Sequence, residues 1–335
     1  MVNIGIIGFN YWGRNILRNL LENSACRVIA CSDTVISNLQ AVRDRYPELY
    51  ITQDPSELLD NPKIDAVVLA SDVSTHHSLG KRAIIQGKHV LFDKLIASSS
   101  EQADELVTLA RSKKNILMLC NPLEYSPAGL KIKDFIRGDL LGKIYYIISS
   151  RINLGMYRQD IDVVWDLAYH DISLYMWWLD ESPINVWAQG KAVICEGICD
   201  TAFINMEFSS GTMVNIEVSW LAPTKLRMTI LAGSKKMLVF DDTASAEKIK
   251  IHDKGADVKN PESFGEFQLT YHSGDVLCPK IDTYEPLQNS IRHFIECVKT
   301  DREPRSNGLR GIKVLKILEA AERSIVNNGR REEVG

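Results

Sequence analysis

Short apolar runs alternate with amphipathic stretches along the first 120 residues. The runs are Asn3 to Gly8, Arg27 to Ser32, Ala66 to Ala70, His89 to Phe92 and Ile116 to Leu119. Between them, Trp12 to Glu22, Ser37 to Arg45, Ser74 to Gln86 and Ser99 to Ser112 carry apolar residues at helical spacing. Strand and helix in strict alternation predict a parallel sheet with helices on both faces. Ligands of such sheets bind beyond the carboxyl ends of the strands.

After residue 121 the pattern changes. Ile161 to Leu179 reads as one helix, followed by the strand-like runs Ile184 to Val193, Ala202 to Phe208, Thr212 to Trp220, Leu226 to Ala232 and Lys236 to Phe240. In MVNIEVSW, Met213, Asn215, Glu217 and Ser219 fall on one face and Val214, Ile216, Val218 and Trp220 on the other, which predicts an open antiparallel sheet with a helical face. Residues 253 to 279 show no clear period and read as a mobile loop. Two amphipathic helices within 287–327 close the chain near the domain junction. The expected fold is α/β, with a parallel-sheet nucleotide-binding domain over 1–121 and an α+β domain with an open antiparallel sheet over 122–335.

Composition narrows the function. The chain has 335 residues, 45% hydrophobic and 24% charged, enough for a sizeable core. A net charge of −4 without a basic stripe argues against a nucleic-acid partner. The opening MVNIGIIGFNYWG has no leader-like charge pattern, and no apolar run approaches a membrane span, so the reading is cytoplasmic. Seven cysteines at 26, 31, 120, 195, 199, 278 and 297 form no CxxC pair; reduced thiols are expected, with no disulfide framework and no metal site.

The first strand runs into GFNYWG, where Gly8, Asn10 and Gly13 occupy the three positions of a dinucleotide fingerprint and Tyr11 and Trp12 open the helix. Gly8 permits the tight turn, Gly13 close helix packing, and the helix amides face a pyrophosphate. Asn10 adds bulk where the backbone approaches phosphate. Asp33 ends the second run twenty residues after Gly13, the place for a carboxylate accepting ribose hydroxyls. Thr34, Val35 and Ile36 supply no cation for a 2′-phosphate, so NAD is expected over NADP. At the end of the fourth strand, Ser71, Thr75 and His76 lie at the same edge as Gly8 and Asp33, with helix capping the plainer reading for Thr75.

Two further groups carry acid–base chemistry. The strand His89 to Phe92 ends on Asp93 and Lys94, charges that are costly to bury unless paired or used. A lysine there can hold a substrate hydroxyl and stabilise a developing alkoxide; a solvated ion pair is the structural alternative. Asp166 and His170, four residues apart, share a helix face, and a carboxylate beside an imidazole orients it as a base. Tyr169 reads as packing or substrate contact. Asn153, Arg158 and Gln159 are candidate sugar contacts.

The segments IGIIGFNYWGRNILRNL, ASDVSTHHSLGKRAIIQGKHVLFDKL, LGKIYYIISSRINLG and VVWDLAYHDISL together resemble the Gfo/Idh/MocA oxidoreductases over nearly the whole chain. The resemblance implies a Rossmann-type domain binding NAD, Lys94 and His170 as catalytic residues with Asp166 beside them, and cofactor contacts extending to Asp93 and Asn121. It implies a sugar or nucleotide-sugar substrate, and a homodimer or homotetramer formed by pairing open sheets back to back. Family members usually have Glu-Lys-Pro where this chain has Asp93-Lys94-Leu95, often with a cis bond before the proline, and Gly-His where it has Cys120-Asn121. Two other readings stay open: a relative that cleaves glycosidic bonds by transient oxidation, and a non-catalytic sugar- or nucleotide-binding homologue.

Overall fold

The computed structural model describes residues 1–155, 157–159, 161–259 and 268–335. They form two compact units, Met1–Ser126 with Tyr284–Lys316, and Pro127–Thr283 with Ile317–Gly335.

The first unit holds a six-stranded parallel sheet. Its strands are β1 (Val2–Ile7), β2 (Cys26–Ser32), β3 (Tyr50–Thr52), β4 (Ala66–Leu69), β5 (His89–Phe92) and β6 (Leu117–Leu119), in the spatial order 3-2-1-4-5-6. The helices between them are α1 (Tyr11–Leu21), α2 (Ile36–Arg45), α3 (Ser56–Leu59), α4 (Val73–Ile85) and α5 (Ser100–Lys113). β4 and β5 are apolar and almost wholly buried, because a parallel strand is covered on both faces. The order reverses at β1, the crevice where such sheets bind dinucleotides.

Sequence spacing assigns the helix Pro286–Thr300 to the second domain, whereas its Leu287, Ile291, Phe294 and Ile295 enter the same core as Ile4, Ile6, Ile16 and Leu17. Periodicity identifies an apolar face but not the core that receives it. The first unit therefore extends to Ser126 and takes back residues 284–316, against the expected single cut at 121.

The second unit opens with α6 (Pro127–Arg137) and β7 (Ile144–Ile152), followed by a π-helical turn Val164–Ala168 that runs directly into α7 (Tyr169–Leu179). Then come β8 (Pro183–Lys191), β9 (Thr201–Phe208), β10 (Met213–Ser219), β11 (Leu226–Gly233), β12 (Met237–Asp241), β13 (Ile249–Lys259), β14 (Gln268–Leu277) and the short β15 (Glu332–Glu333). The nine strands lie in the order 14-13-12-11-7-10-9-8-15. The sheet is mixed: β7 and β10 pair parallel at its centre, and the remaining pairs are antiparallel.

The reading of 253–279 as a loop gives way to the β13–β14 hairpin over 249–259 and 268–277. A register shift between His252 and Lys254 breaks the period-two alternation there, which hides the strand from pattern reading. Residues 260–267 lie outside the described residues.

One face of the sheet is covered by α7, whose residues 171–178 are all buried. Tyr175 reaches Thr229 on β11 at 3.0 Å, and Trp178 meets Phe240 on β12 edge-on. The C-terminal end of α7 is closed by Lys133 of α6, whose Nζ donates to the carbonyls of Trp177 and Trp178 and pairs with Asp180 at 2.6 Å. The other face leaves Tyr146, Ile148, Phe203 and Met213 exposed. Among the described residues no helix is long and apolar enough to cross a membrane, all seven cysteines are free, and no cluster of three or more His, Cys, Asp or Glu could hold a metal.

Candidate functional site

In the first unit, Gly8, Asp33, Ser71, Asp93, Lys94 and Asn121 follow the carboxyl ends of β1, β2, β4, β5 and β6, at one edge of the sheet. Gly8 has φ +100°, and a Cβ there would lie 2.5 Å from the Ala70 carbonyl group. Only glycine fits. A Cβ on Gly13 would lie 2.3 Å from the Gly8 oxygen, so helix and strand touch backbone to backbone. Both glycines are required as the fingerprint demands.

Asn10 departs from that fingerprint for a local reason. Its φ is −69°, within reach of any side chain, and it is the N-cap of α1. Its Oδ1 accepts from the amides of Trp12 and Gly13, both at 3.0 Å, while Nδ2 donates to the Ala70 carbonyl at 2.7 Å. The side chain thus occupies amides of the turn that would face a pyrophosphate. Tyr11 is 73% exposed and meets Trp12 edge-on.

Asp33 is buried at the rim, its Oδ2 accepting from the Phe9 amide at 2.6 Å and its Oδ1 from the Val35 amide at 2.8 Å. Each oxygen keeps a lone pair for a ribose hydroxyl. The cradle made by Gly8, Gly13 and Asp33 fits a dinucleotide.

Ser71 and Thr75 bond each other through their hydroxyls at 2.8 Å, and Thr75 also donates to the Asp72 carbonyl. His76 is 1% exposed. Its Nδ1 faces the Leu95 carbonyl at 2.7 Å and its Nε2 the Ser71 carbonyl at 3.1 Å. Burial lowers its pKa, against the carbonyl hydrogen bonds that raise it. The ring ties the chain just after Lys94 to the end of β4.

Asp93 is buried and anchored by its amide to the Leu69 carbonyl. Lys94 is half-buried and Leu95 fully buried, with no cis peptide bond among the described residues. Leu95 therefore fills the core on a trans backbone. Asn121 is fully buried, its Nδ2 donating to Glu124 Oε1 at 2.9 Å. Glu124, also fully buried, pairs with Arg310 at 2.8 Å. The resemblance implies a cofactor contact at Asn121; the structure gives its Nδ2 an interior partner in Glu124.

In the second unit, Asp166 sits in the π-helical turn and His170 in the first turn of α7. The expected uninterrupted helix from Ile161 is thus widened by one residue per turn at Asp166, a distortion common at functional sites. Trp220 donates from Nε1 to Asp166 Oδ2 at 3.1 Å, and Arg158 Nη1 lies 3.7 Å from Oδ1. Asp162 holds the start of the turn, accepting the amides of Val164 and Trp165 on Oδ1. Burial raises the Asp162 carboxyl to about 6, helped by the charges of Glu322 and Asp166 and opposed by the two amides. Tyr169 is buried and meets the His170 ring edge-on at 5.4 Å, a packing role.

Sequence reasoning missed Trp220 and Asp162. The Asp-x-x pattern ahead of a helix could have marked Asp162 as a cap. Nothing in the spacing connects Trp220 with Asp166.

Residues 2–120 match the model of the oxidoreductase family with an NAD-binding Rossmann fold, GFO_IDH_MocA, and residues 130–239 match the GFO/IDH/MocA C-terminal domain. Myo-inositol 2-dehydrogenase of Thermotoga maritima is 23% identical over 97% of this chain and 96% of its own. UDP-N-acetylglucosamine 3-dehydrogenase of Acidithiobacillus ferrooxidans is 28% identical over 47% of this chain and 49% of its own. The solved structure of GenD2 from gentamicin A biosynthesis, in complex with NAD, superposes with a TM-score of 0.83 at 18% identity, covering 100% of this chain and 96% of that one.

Proposed function

Because the chain belongs to the Gfo/Idh/MocA oxidoreductases, we propose that it is an NAD-dependent dehydrogenase or ketoreductase of a secondary alcohol on a sugar ring, with nucleotide-linked sugars the leading substrate class. The observation that carries this is the single sheet edge holding the Gly8 and Gly13 cradle, the Asp33 carboxylate and Lys94. The preference for NAD over NADP follows from Asp33, which repels a 2′-phosphate, and from the uncharged Thr34, Val35 and Ile36.

In this reading Gly8, Gly13 and Asp33 hold the dinucleotide, with Tyr11, Trp12, Ser71, Thr75 and Asp93 at the same edge. NAD supplies hydride acceptance when bound. Lys94 polarises the substrate oxygen and stabilises the alkoxide. His170 takes the hydroxyl proton or returns it, and Asp166 orients the imidazole. Relatives named for myo-inositol and for UDP-N-acetylglucosamine support a polyhydroxylated ring as substrate. The exposed apolar face of the sheet, with Tyr146, Ile148, Phe203 and Met213, supports a homodimer or homotetramer.

The test is a fluorescence titration with NADH and NADPH, then turnover with nucleotide sugars and with inositol. Micromolar NADH binding with much weaker NADPH binding is expected. Lys94→Ala should lower kcat by about 10²-fold or more with cofactor affinity nearly unchanged; retained turnover removes Lys94 from the mechanism.

One observation favours a second reading. Asn10 already accepts two amides of the fingerprint turn, as a site that has lost its dinucleotide would tolerate. Absence of binding by both NADH and NADPH would favour that non-catalytic homologue. Sugar release without net NADH would instead identify cleavage by transient oxidation.

A further inference from the structure

Asp166 is held from the sheet side by a residue whose own position leaves no freedom. Trp220 follows the last residue of β10 and is 1% exposed. Its backbone is fixed twice, the amide donating to the Asp200 carbonyl and the carbonyl accepting from the Gly155 amide, both at 2.9 Å. Its indole lies so close to Gly155 that a Cβ there would come within 2.9 Å of Cδ1, and the Tyr157 ring closes its edge at 5.5 Å. With backbone and ring both fixed, the indole N–H has one direction, toward Asp166 Oδ2 at 3.1 Å.

We propose that Trp220 is a positioning residue for proton transfer, setting through Asp166 both the orientation and the strength of the base at His170. The inference rests on the roles proposed above for Asp166 and His170. A buried indole N–H needs an acceptor, and any carbonyl would satisfy that need; here the acceptor is the carboxylate four residues before His170, in the π-helical turn that runs into α7. A donor bonded to a carboxylate oxygen fixes its direction and draws charge away from it. Asp166 accepts this hydrogen bond, and the substrate proton moves on His170. Arg158, 3.7 Å from the other oxygen, acts in the same sense.

Trp220→Phe keeps an aromatic ring at this position and removes the N–H together with part of the bicyclic indole. We expect kcat to fall about tenfold with KM within about twofold, and the acid limb of the kcat–pH profile to rise by about half a unit as the unshared carboxylate holds the imidazolium more firmly. A packing role alone would lower thermal stability and leave the limb where it is, and that result overturns the inference.

A second readout needs no turnover. The Trp220 indole resonance in ¹⁵N–¹H spectra, identified by its loss in Trp220→Phe, should move upfield and exchange faster in Asp166→Ala. An unmoved resonance overturns the inference; where Trp220→Phe fails to fold, backbone-to-side-chain correlation spectra of the wild type identify the resonance instead. If the resonance moves but the wild-type protein oxidises no sugar alcohol, the Trp220–Asp166 hydrogen bond stands and the dehydrogenase reading falls, and with it the role in proton transfer.

Discussion

The guanidinium of Arg151 on β7 forks onto the carboxylate of Asp171, Nε to Oδ2 at 2.8 Å and Nη2 to Oδ1 at 2.7 Å, with both residues buried. Asp171 immediately follows His170, so this pair pins the turn carrying the candidate base to the sheet. Burial alone would lower the Arg151 pKa, and the facing carboxylate raises it above the usual arginine value. Arg227 lies directly across on β11 and is paired with Asp242 at 3.6 Å, which offsets the repulsion between the two arginines.

Removing one member of such a pair leaves the other charge buried without compensation. Arg151→Met should destabilise the protein by about 3–5 kcal/mol, and Arg151→Met with Asp171→Leu should recover most of that loss. Urea unfolding of both variants measures it. A single variant as stable as wild type would mean that water reaches Asp171.

Much of this arrangement is legible in the sequence, and its limits have physical causes. Gly8, Gly13 and Asp33 can be read because each answers a local steric or charge requirement. Asp166 and His170 stand four residues apart in the sequence, but that spacing does not reveal the π-helical turn that carries Asp166. The interior partners of His76 and Asn121 are not legible, because a polar residue at a strand end looks the same in sequence whether it faces a ligand or an interior acceptor. Trp220 is invisible because it meets Asp166 across 54 residues of chain, through tertiary packing that no window captures. The β13–β14 hairpin is lost to one bulge.

Asn10 gives a direct test of the unusual fingerprint. Glycine at an N-cap costs only a few tenths of a kcal/mol relative to asparagine, yet Asn10→Gly frees the amides of Trp12 and Gly13. We expect NADH to bind several-fold tighter, about 1 kcal/mol, with little change in melting temperature. Titration of the variant decides it. Weaker binding would mean that the Asn10 amide itself contacts the dinucleotide.

Lys133 should prove structural. Its ammonium is 2% exposed and caps the last carbonyls of α7 while pairing with Asp180. Lys133→Met leaves those carbonyls without their donor and should cost about 2–4 kcal/mol. Thermal melts should fall accordingly while cofactor affinity is retained. Loss of NADH binding in a folded variant would contradict this assignment.

Asp162 carries the pH dependence of the π-helical turn. Its carboxyl is raised to about 6, chiefly by burial, so the native state holds a proton that the unfolded chain releases at lower pH. A raised carboxyl pKa contributes stability that is complete below the unfolded value, near about 4, and lost as pH rises through the folded value. Asp162→Asn retains an Oδ1 acceptor for the Val164 and Trp165 amides and carries no charge to desolvate. The variant should match wild type below about pH 4 and exceed it at pH 7, by no more than about 2 kcal/mol because the residue is only half-buried. Urea unfolding at pH 4, 5, 6 and 7 follows the difference. A variant weaker than wild type at pH 7 would show the opposite balance, with the ionised carboxylate gaining more from the helix amides than it loses to burial.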